Sequence, residues 1–181
     1  FQGLLPGEFD TEALRRDDVD AEALAVGYDN LFVVPGPHYV PPFASGHATD
    51  PSEAFDSDAK YHEEGTAGEL LGDPAESVAE LYERANFTPE RGGGIPDHVA
   101  AEFEFMAVLA TQTARSGTAD RDGTDAVRAT EERVLEHLEW IDAFAERVAA
   151  HDAAEGVYAA ICSFASAFVS WDRRQRSART R

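Results

Sequence analysis

The fold is decided by the stretch Pro96-Asp97-His98-Val99-Ala100-Ala101-Glu102-Phe103-Glu104-Phe105-Met106, in which a turn with two ionisable side chains runs directly into an apolar segment. Three glycines at 92–94 precede it, and Pro96 suits a helix start because the N–H that proline lacks would be unpaired there. Asp97 is favoured at the positive end of a helix. The sequence therefore predicts a helix that begins near Asp97 and ends near Ala114.

Apolar residues recur in this predicted helix at the three- and four-residue spacing of a buried helical face. That face carries Val99, Phe103, Met106 and Ala110, and it is widened by Phe105, Val108 and Leu109. A helix with so wide an apolar surface belongs in a core. Because His98 and Glu102 are one turn apart, we expect their side chains to meet at the mouth of the surrounding structure.

The ionisable residues of this stretch have several interpretations. A first-turn aspartate is commonly a helix cap, and a histidine beside it is commonly a surface residue. Asp97 and His98 are also the polar centre expected of a helical ligand-binding or hydrolase domain, which would need a substrate pocket that nothing else in the chain indicates. A third interpretation is an interaction module with an unrelated partner.

Further helices are predicted at 11–16, 73–85 and 124–151, with a second helix that ends near Val34 and a last helix that ends near Asp172. Their predicted caps are Asp10, Asp17 or Asp18, Asp73, and Asp152, which forms a capping box with Glu155. Residues 35–72 contain five prolines and are predicted to form one long, mostly irregular loop. We therefore expect an all-α fold, a single-domain helical bundle of about five to six helices. Its predicted common core is Val99, Phe103, Met106, Leu138, Ile141, Ile161 and Ala165.

The charge balance is strongly acidic, with 35 Asp and Glu residues against 15 Lys and Arg. It argues against nucleic-acid binding, which needs a clustered basic surface. The acidic residues are spread evenly and Lys60 is the only lysine, a pattern that indicates a surface adapted to high salt, as in a halophilic archaeon. The alternative is an acidic site for a basic partner.

The chain lacks an apolar run long enough to span a bilayer and a signal-peptide core, so we expect a cytoplasmic protein without stable membrane insertion. Cys162, the single cysteine, is expected to be a small buried residue. Residues 1–3 look like the scar of a cleavable tag, which leaves 4–172 as the predicted domain. The tail 173–181 carries five arginines, and we expect it to be solvated or to dock on the acidic surface of another copy.

Motifs for catalysis and cofactors are absent from the sequence. There is no H-E-x-x-H or E-x-x-H for a metal, no C-x-x-C, no P-loop, no G-x-G-x-x-G and no G-x-S-x-G. The sequence therefore predicts a binding protein that is not an enzyme and has no cofactor or metal.

Residues 96–106, PDHVAAEFEFM, resemble the PDH-x3-E-x-x-FM signature of the maturation chaperones of redox enzymes, the TorD/DmsD/NarJ group. Residues 28–36 resemble the EYxxLFxGPG element of that group, with Gly27 in place of the acidic residue. Residues 41–45 and 135–140 resemble two further elements, with Ala44 in place of an acidic residue. Asp142 stands where many members carry proline, so we expect the helix to continue there without a kink.

This resemblance implies a cytoplasmic chaperone for a molybdopterin-dependent oxidoreductase. Such a chaperone binds the twin-arginine leader of the catalytic subunit and assists cofactor insertion before export; members also form swapped dimers, so a homodimer is expected as one form. A twin-arginine leader needs carboxylates beside an apolar groove. The residues expected to supply them are Tyr28, Leu31, Phe32, Pro42, Phe43, Asp97, His98 and Glu102.

Overall fold

A computed structural model describes residues 13–15, 17–48, 71–116, 121–153 and 156–179. These residues form helices joined by turns and contain no strand, so the predicted all-α fold is confirmed. The α-helices are α1 (Ala21–Tyr28), α2 (Asp73–Arg84), α3 (Val99–Ser116), α4 (Arg121–His137), α5 (Ile141–His151) and α6 (Val157–Arg179). Among the described helices, none combines the length and the apolar character needed to cross a membrane.

Shorter helical turns join these helices. They are 3-10 turns at Ala13–Arg15, Ala44–His47, Gly92–Gly94 and Leu138–Trp140, and a π-helical segment, Asp29–Val33, that continues α1. Of the predicted loop 35–72, residues 49–70 lie outside the described part of the chain, as do the predicted cap Asp10 and the capping partner Glu155.

The starts of the helices differ from prediction in three places. The cap of α1 is Asp20, whose side chain accepts hydrogen bonds from the backbone N–H groups of Glu22 and Ala23, rather than Asp17 or Asp18. The helix α2 begins at Asp73 with proline in its first turn, as predicted, but its N-cap is Gly72 without a side-chain hydrogen bond, so the predicted cap Asp73 is wrong. The helix α3 begins at Val99 rather than near Asp97, because the two residues before it pair with another segment of chain.

The chain divides into two compact units, a terminal unit (Phe1–Pro41 with Ile141–Arg181) and a central unit (Pro42–Trp140). In the central unit α4 packs against both α2 and α3. The rings of Tyr82, Phe87 and Phe105 meet with centroids 4.9 to 5.2 Å apart. The other large buried side chains there include Val78, Leu81, Met106, Leu109, Val134, Leu135 and Leu138.

The buried face of α3 is rotated from the predicted one. It carries Ala101, Glu102, Phe105, Met106 and Leu109, while Val99 and Phe103 are half-buried and Ala110 is exposed. The apolar pattern alone misplaced the face because a charged residue, Glu102, occupies its centre.

In the terminal unit α5 packs against α6. Its core contains Leu31, Val40, Ile141, Phe144, Val148, Cys162 and Val169, so the predictions for Ile141 and Cys162 are confirmed. Ala165 is half-buried, and Ile161 is 47% exposed, contrary to prediction. Successive helical residues lie about 100° apart, so burial of Cys162 turns Ile161 toward solvent.

Two helix boundaries differ from the predicted ones. The helix predicted at 124–151 is interrupted by the 3-10 turn Leu138–Trp140, although neither proline nor glycine lies there, so the prediction of one continuous helix was wrong. The helix does continue regularly through Asp142. The last helix continues to Arg179 rather than ending near residue 172. Asp152 does support the start of α6, because its Oδ2 accepts from the backbone N–H of Ala159 at 2.8 Å.

Candidate functional site

The turn before α3 is joined to the segment 42–45 by backbone hydrogen bonds. The N–H of Ala44 donates to the carbonyl of Asp97 at 3.0 Å, and the N–H of Val99 donates to the carbonyl of Pro42 at 2.9 Å. Phe43 and His98 form an isolated antiparallel bridge between these bonds. The structure thus brings together three predicted neighbours, Pro42, Phe43 and the 97–98 turn.

The side chain of Asp97 adds two hydrogen bonds to this pairing on its buried side. Its Oδ2 accepts from the backbone N–H of Ser45 at 2.7 Å and from the Ser45 hydroxyl at 2.5 Å. The carboxylate is fully buried, and its other oxygen, Oδ1, has no hydrogen-bond partner among the described residues. A buried acceptor left unpaired is costly, so Oδ1 is an open position for a donor.

His98 is half-buried beside Asp97. Burial lowers the pKa of its imidazole, and the Asp97 charge opposes that shift. Nδ1 accepts from the backbone N–H of Ala100 at 3.0 Å, so the neutral ring carries its proton on Nε2. Gly92 packs against this side chain with φ of +81°, and a Cβ at that position would lie 2.8 Å from the His98 Cβ.

The side chain of Glu102 is directed to His137 and Trp140 rather than to His98, contrary to prediction. Its carboxylate is fully buried and contacts the other helical segments of the central unit: Oε2 lies 3.0 Å from Nδ1 of His137, and Oε1 accepts from the indole N–H of Trp140 at 3.3 Å. Glu102 is therefore an internal anchor rather than a carboxylate at a mouth.

His137 links this anchor to the start of α2, because its Nε2 lies 2.8 Å from the carbonyl oxygen of Pro74. Burial raises the pKa of Glu102. Burial alone would lower the pKa of His137, but its bonds to Glu102 and Pro74 outweigh burial and raise it, and the charge of Asp97 raises the pKa of both groups. Both shifts favour a proton shared between the two groups.

Other contacts fix the surroundings of the two carboxylates. The Tyr82 hydroxyl donates to the carbonyl of Pro96 at 2.8 Å, and burial, with the charges of Glu102 and Asp97, raises the pKa of this phenol. The imidazole of His47 lies over the Trp140 ring with centroids 5.2 Å apart. These contacts attach the turn 44–47 and the turn 96–98 to the helices around them.

The other predicted residues, Tyr28, Leu31 and Phe32, lie in the terminal unit. Leu31 is buried, and its carbonyl accepts from the N–H of Val40 at 2.7 Å. Phe32 packs among Tyr28, Phe144 and Tyr158, with ring centroids 5.5 to 6.1 Å away. The Tyr158 hydroxyl donates to the carbonyl of Leu24 at 2.7 Å, so these rings are held against α1.

Four residues that contact Asp97 or belong to the Glu102 network were not predicted from the sequence: Ser45, Pro74, His137 and Trp140. His137 and Trp140 lay within the stretch 135–140 that was singled out, but no spacing connected them with Glu102. In the described part of the chain, no group of three or more His, Cys, Asp or Glu side chains is arranged to hold a metal ion.

A family model described as "Nitrate reductase delta subunit" matches residues 6–146. No curated protein and no solved structure matches the chain.

Proposed function

Since the chain belongs to the nitrate reductase delta subunit family, a family of molybdoenzyme maturation chaperones, we propose that it binds a twin-arginine leader. The leader is that of a molybdopterin-dependent oxidoreductase subunit of the nitrate reductase type. By binding it in the cytoplasm, the chaperone retains the apo-subunit until its cofactor is inserted and assembly is complete.

The observation that carries this proposal is the buried, unpartnered Oδ1 of Asp97. A guanidinium group offers several N–H donors in a fixed plane, and hydrogen bonds to a carboxylate are among the strongest in proteins. An arginine of the leader would supply the donor that this oxygen lacks.

Access to Asp97 requires the turn Ala44–His47 to move. Asp97 is fully buried, and Ser45 holds the turn against its Oδ2 through two hydrogen bonds. The bound leader therefore replaces, at this carboxylate, contacts that the chain makes with itself. Pro42 and Phe43, at the start of the same turn, would then contact the leader.

His98 and Glu102 have different roles in this proposal. The His98 Nε2–H is a donor beside the turn, suited to a backbone carbonyl of the leader. Both oxygens of Glu102 are engaged by His137 and Trp140, so Glu102 positions α3 and does not contact the leader. Leader contacts of Tyr28, Leu31 and Phe32, which lie in the terminal unit, stay a prediction from the sequence.

Calorimetric titration with a synthetic leader peptide tests this function. Asp97→Asn keeps an oxygen for Ser45 but places an NH2 group where Oδ1 was, so leader binding should weaken by roughly 1.5 to 3 kcal/mol, the range for hydrogen bonds to charged groups. Glu139→Gln, an exposed carboxylate of the same unit, is the control and should bind like the parent.

A second peptide tests recognition of the guanidinium groups. A leader with lysines in place of both arginines should bind more weakly, because an ammonium group lacks the planar set of donors. Equal binding of the two peptides, or no binding of the native leader to the parent protein, would refute leader recognition.

The hydrolase interpretation has less support. The Ser45 hydroxyl donates to Asp97 rather than to a histidine, so within the described residues it lacks the base that activates a serine nucleophile.

A further inference from the structure

The turn Ala44–His47, which covers Asp97, is attached to the central unit at both of its ends. Its first two residues are joined to Asp97: the N–H of Ala44 donates to the Asp97 carbonyl, and Ser45 makes two hydrogen bonds to the carboxylate. Its last residue, His47, lies instead over the ring of Trp140, with centroids 5.2 Å apart and ring planes inclined by 32°. The proposed function uses the first attachment and does not use the second.

Trp140 is held in place by the second buried carboxylate. Its indole N–H donates to Oε1 of Glu102 at 3.3 Å, while Nδ1 of His137 lies 3.0 Å from Oε2. The two side chains are three residues apart at the 3-10 turn Leu138–Trp140, and side chains with this spacing eclipse one another in 3-10 geometry. This turn therefore directs both side chains to one carboxylate, and it also packs against the turn Ala44–His47.

The ring under His47 has a fixed orientation. Glu102 is fully buried, and a hydrogen bond in such surroundings is electrostatically stronger than one in water, so the indole of Trp140 is held firmly. Aromatic rings in contact attract each other beyond the area that they bury, which shifts an equilibrium by a factor of about two to ten. The stack of His47 on Trp140 thus contributes measurably to the balance between a closed and an open turn.

We propose that His47 and Trp140 are positioning residues for leader recognition. The stack of His47 on Trp140, with the indole fixed by Glu102, keeps the turn Ala44–His47 closed over Asp97, and the leader binds when the stack opens. Both residues act through the fraction of molecules whose turn is open, because a ligand that needs a minor form binds more weakly in proportion to that fraction. The effect on affinity rests on the proposed function, whereas closure by the stack does not.

Amide hydrogen exchange, followed by NMR without any leader, tests closure. The amide of Ser45 is protected by its bond to Asp97, and an exchange rate that does not change in low urea identifies local opening of the turn rather than unfolding. In His47→Ala this rate should be about two- to tenfold higher, the range for loss of an aromatic pair. His47→Phe keeps a ring over Trp140 and should retain the parent rate.

The matched control is His38→Ala. His38 has a similar ring contact in the terminal unit, with His151 at a centroid distance of 5.8 Å, so its loss should leave exchange at Ser45 unchanged. If His47→Ala also leaves that exchange unchanged, the stack does not hold the turn and the inference is wrong, whether or not the leader binds.

Trp140→Phe tests the bond to Glu102. Phenylalanine offers a ring to His47 but lacks the N–H that Glu102 accepts, so the amide of Ser45 should exchange faster than in the parent. An exchange rate equal to that of the parent would refute the role assigned to Trp140.

Calorimetry with the leader peptide tests the effect on recognition. His47→Ala should bind the leader about two- to tenfold more tightly than the parent, in proportion to its faster exchange at Ser45. Faster exchange with an unchanged leader affinity would refute the link between the stack and recognition. If the parent binds no leader, the proposed function and the effect on affinity both fail, while the exchange rates still decide whether the stack closes the turn.

Discussion

The carboxylate of Glu102 and the imidazole of His137 lie 3.0 Å apart inside the central unit, and the pKa of each group is raised, which favours a proton shared between them. Both ring nitrogens of His137 face oxygen atoms, that of Glu102 and that of Pro74. With the shared proton in place, both contacts are hydrogen bonds. Without it, one ring nitrogen must turn a lone pair toward an oxygen, which is repulsive.

This pair predicts a loss of stability as pH rises. The pKa of His137 is raised in the folded chain, so its contribution is fully present below the unfolded value of about 6.5 and is lost as pH rises through the folded pKa. The raised pKa of Glu102 has the same sign, because the unfolded carboxyl gives up its proton first. Urea unfolding at pH 6 to 9 should show the free energy of unfolding falling across this window.

The variant His137→Gln isolates the contribution of this pair from that of the other ionisable groups. Its amide can still donate to one oxygen, but it does not titrate, so its free energy of unfolding should fall less steeply between pH 6 and 9. Equal slopes in the variant and the parent would show that the pair holds no extra proton in the folded state.

Alanine at position 92 is predicted to clash with His98, and alanine at position 94 serves as the control. Gly92 and Gly94 both have positive φ, +81° and +86°, but only a Cβ at Gly92 would lie 2.8 Å from the Cβ of His98. Alanine at either position incurs the backbone strain, so Gly92→Ala should cost about 1 to 3 kcal/mol more than Gly94→Ala. Thermal or urea unfolding of the two variants measures the difference, and equal losses would show that His98 is not tightly packed there.

Ser45→Ala is predicted to change stability and leader binding in opposite directions. Loss of the hydroxyl bond to Asp97 should lower the free energy of unfolding by about 1.5 to 3 kcal/mol. The closed turn competes with the leader for the same carboxylate, so its weakening should tighten leader binding in calorimetry. Weaker leader binding by this variant would indicate that the closed turn is the form that binds.

The acidic surface predicts stabilisation by salt. With 35 acidic and 15 basic residues, repulsion between like charges opposes folding at low ionic strength, and molar salt screens it. The melting temperature should therefore rise between low salt and molar potassium chloride. A melting temperature that does not change with salt would favour the alternative of a local acidic site.

The features predicted correctly are those that neighbouring residues in the sequence determine. The start of α2 followed from aspartate and proline, and the burial of Met106, Leu138 and Ile141 followed from apolar spacing. The interruption at 138–140 has no local signal, since neither proline nor glycine is present; it lies where His137 and Trp140 contact Glu102.

The candidate site could be predicted only in part. Asp97, His98 and Glu102 were identified as its ionisable residues, but the partners of Asp97 and Glu102 are 35 to 52 residues away along the chain. Spacing within one helix cannot indicate such contacts. Glu102 was misplaced for the same reason, because a charged side chain with two distant partners can occupy the centre of a buried face.

The π-helical segment Asp29–Val33 holds one residue more than a regular helical turn needs. Its five residues complete about the same rotation as four residues of a regular helix, which turns by about 100° per residue. Deleting Asn30 should therefore let the regular helix continue, and the residues that follow should keep their inner and outer faces. The segment is a place where the chain can lose one residue without turning the next part of the core toward solvent.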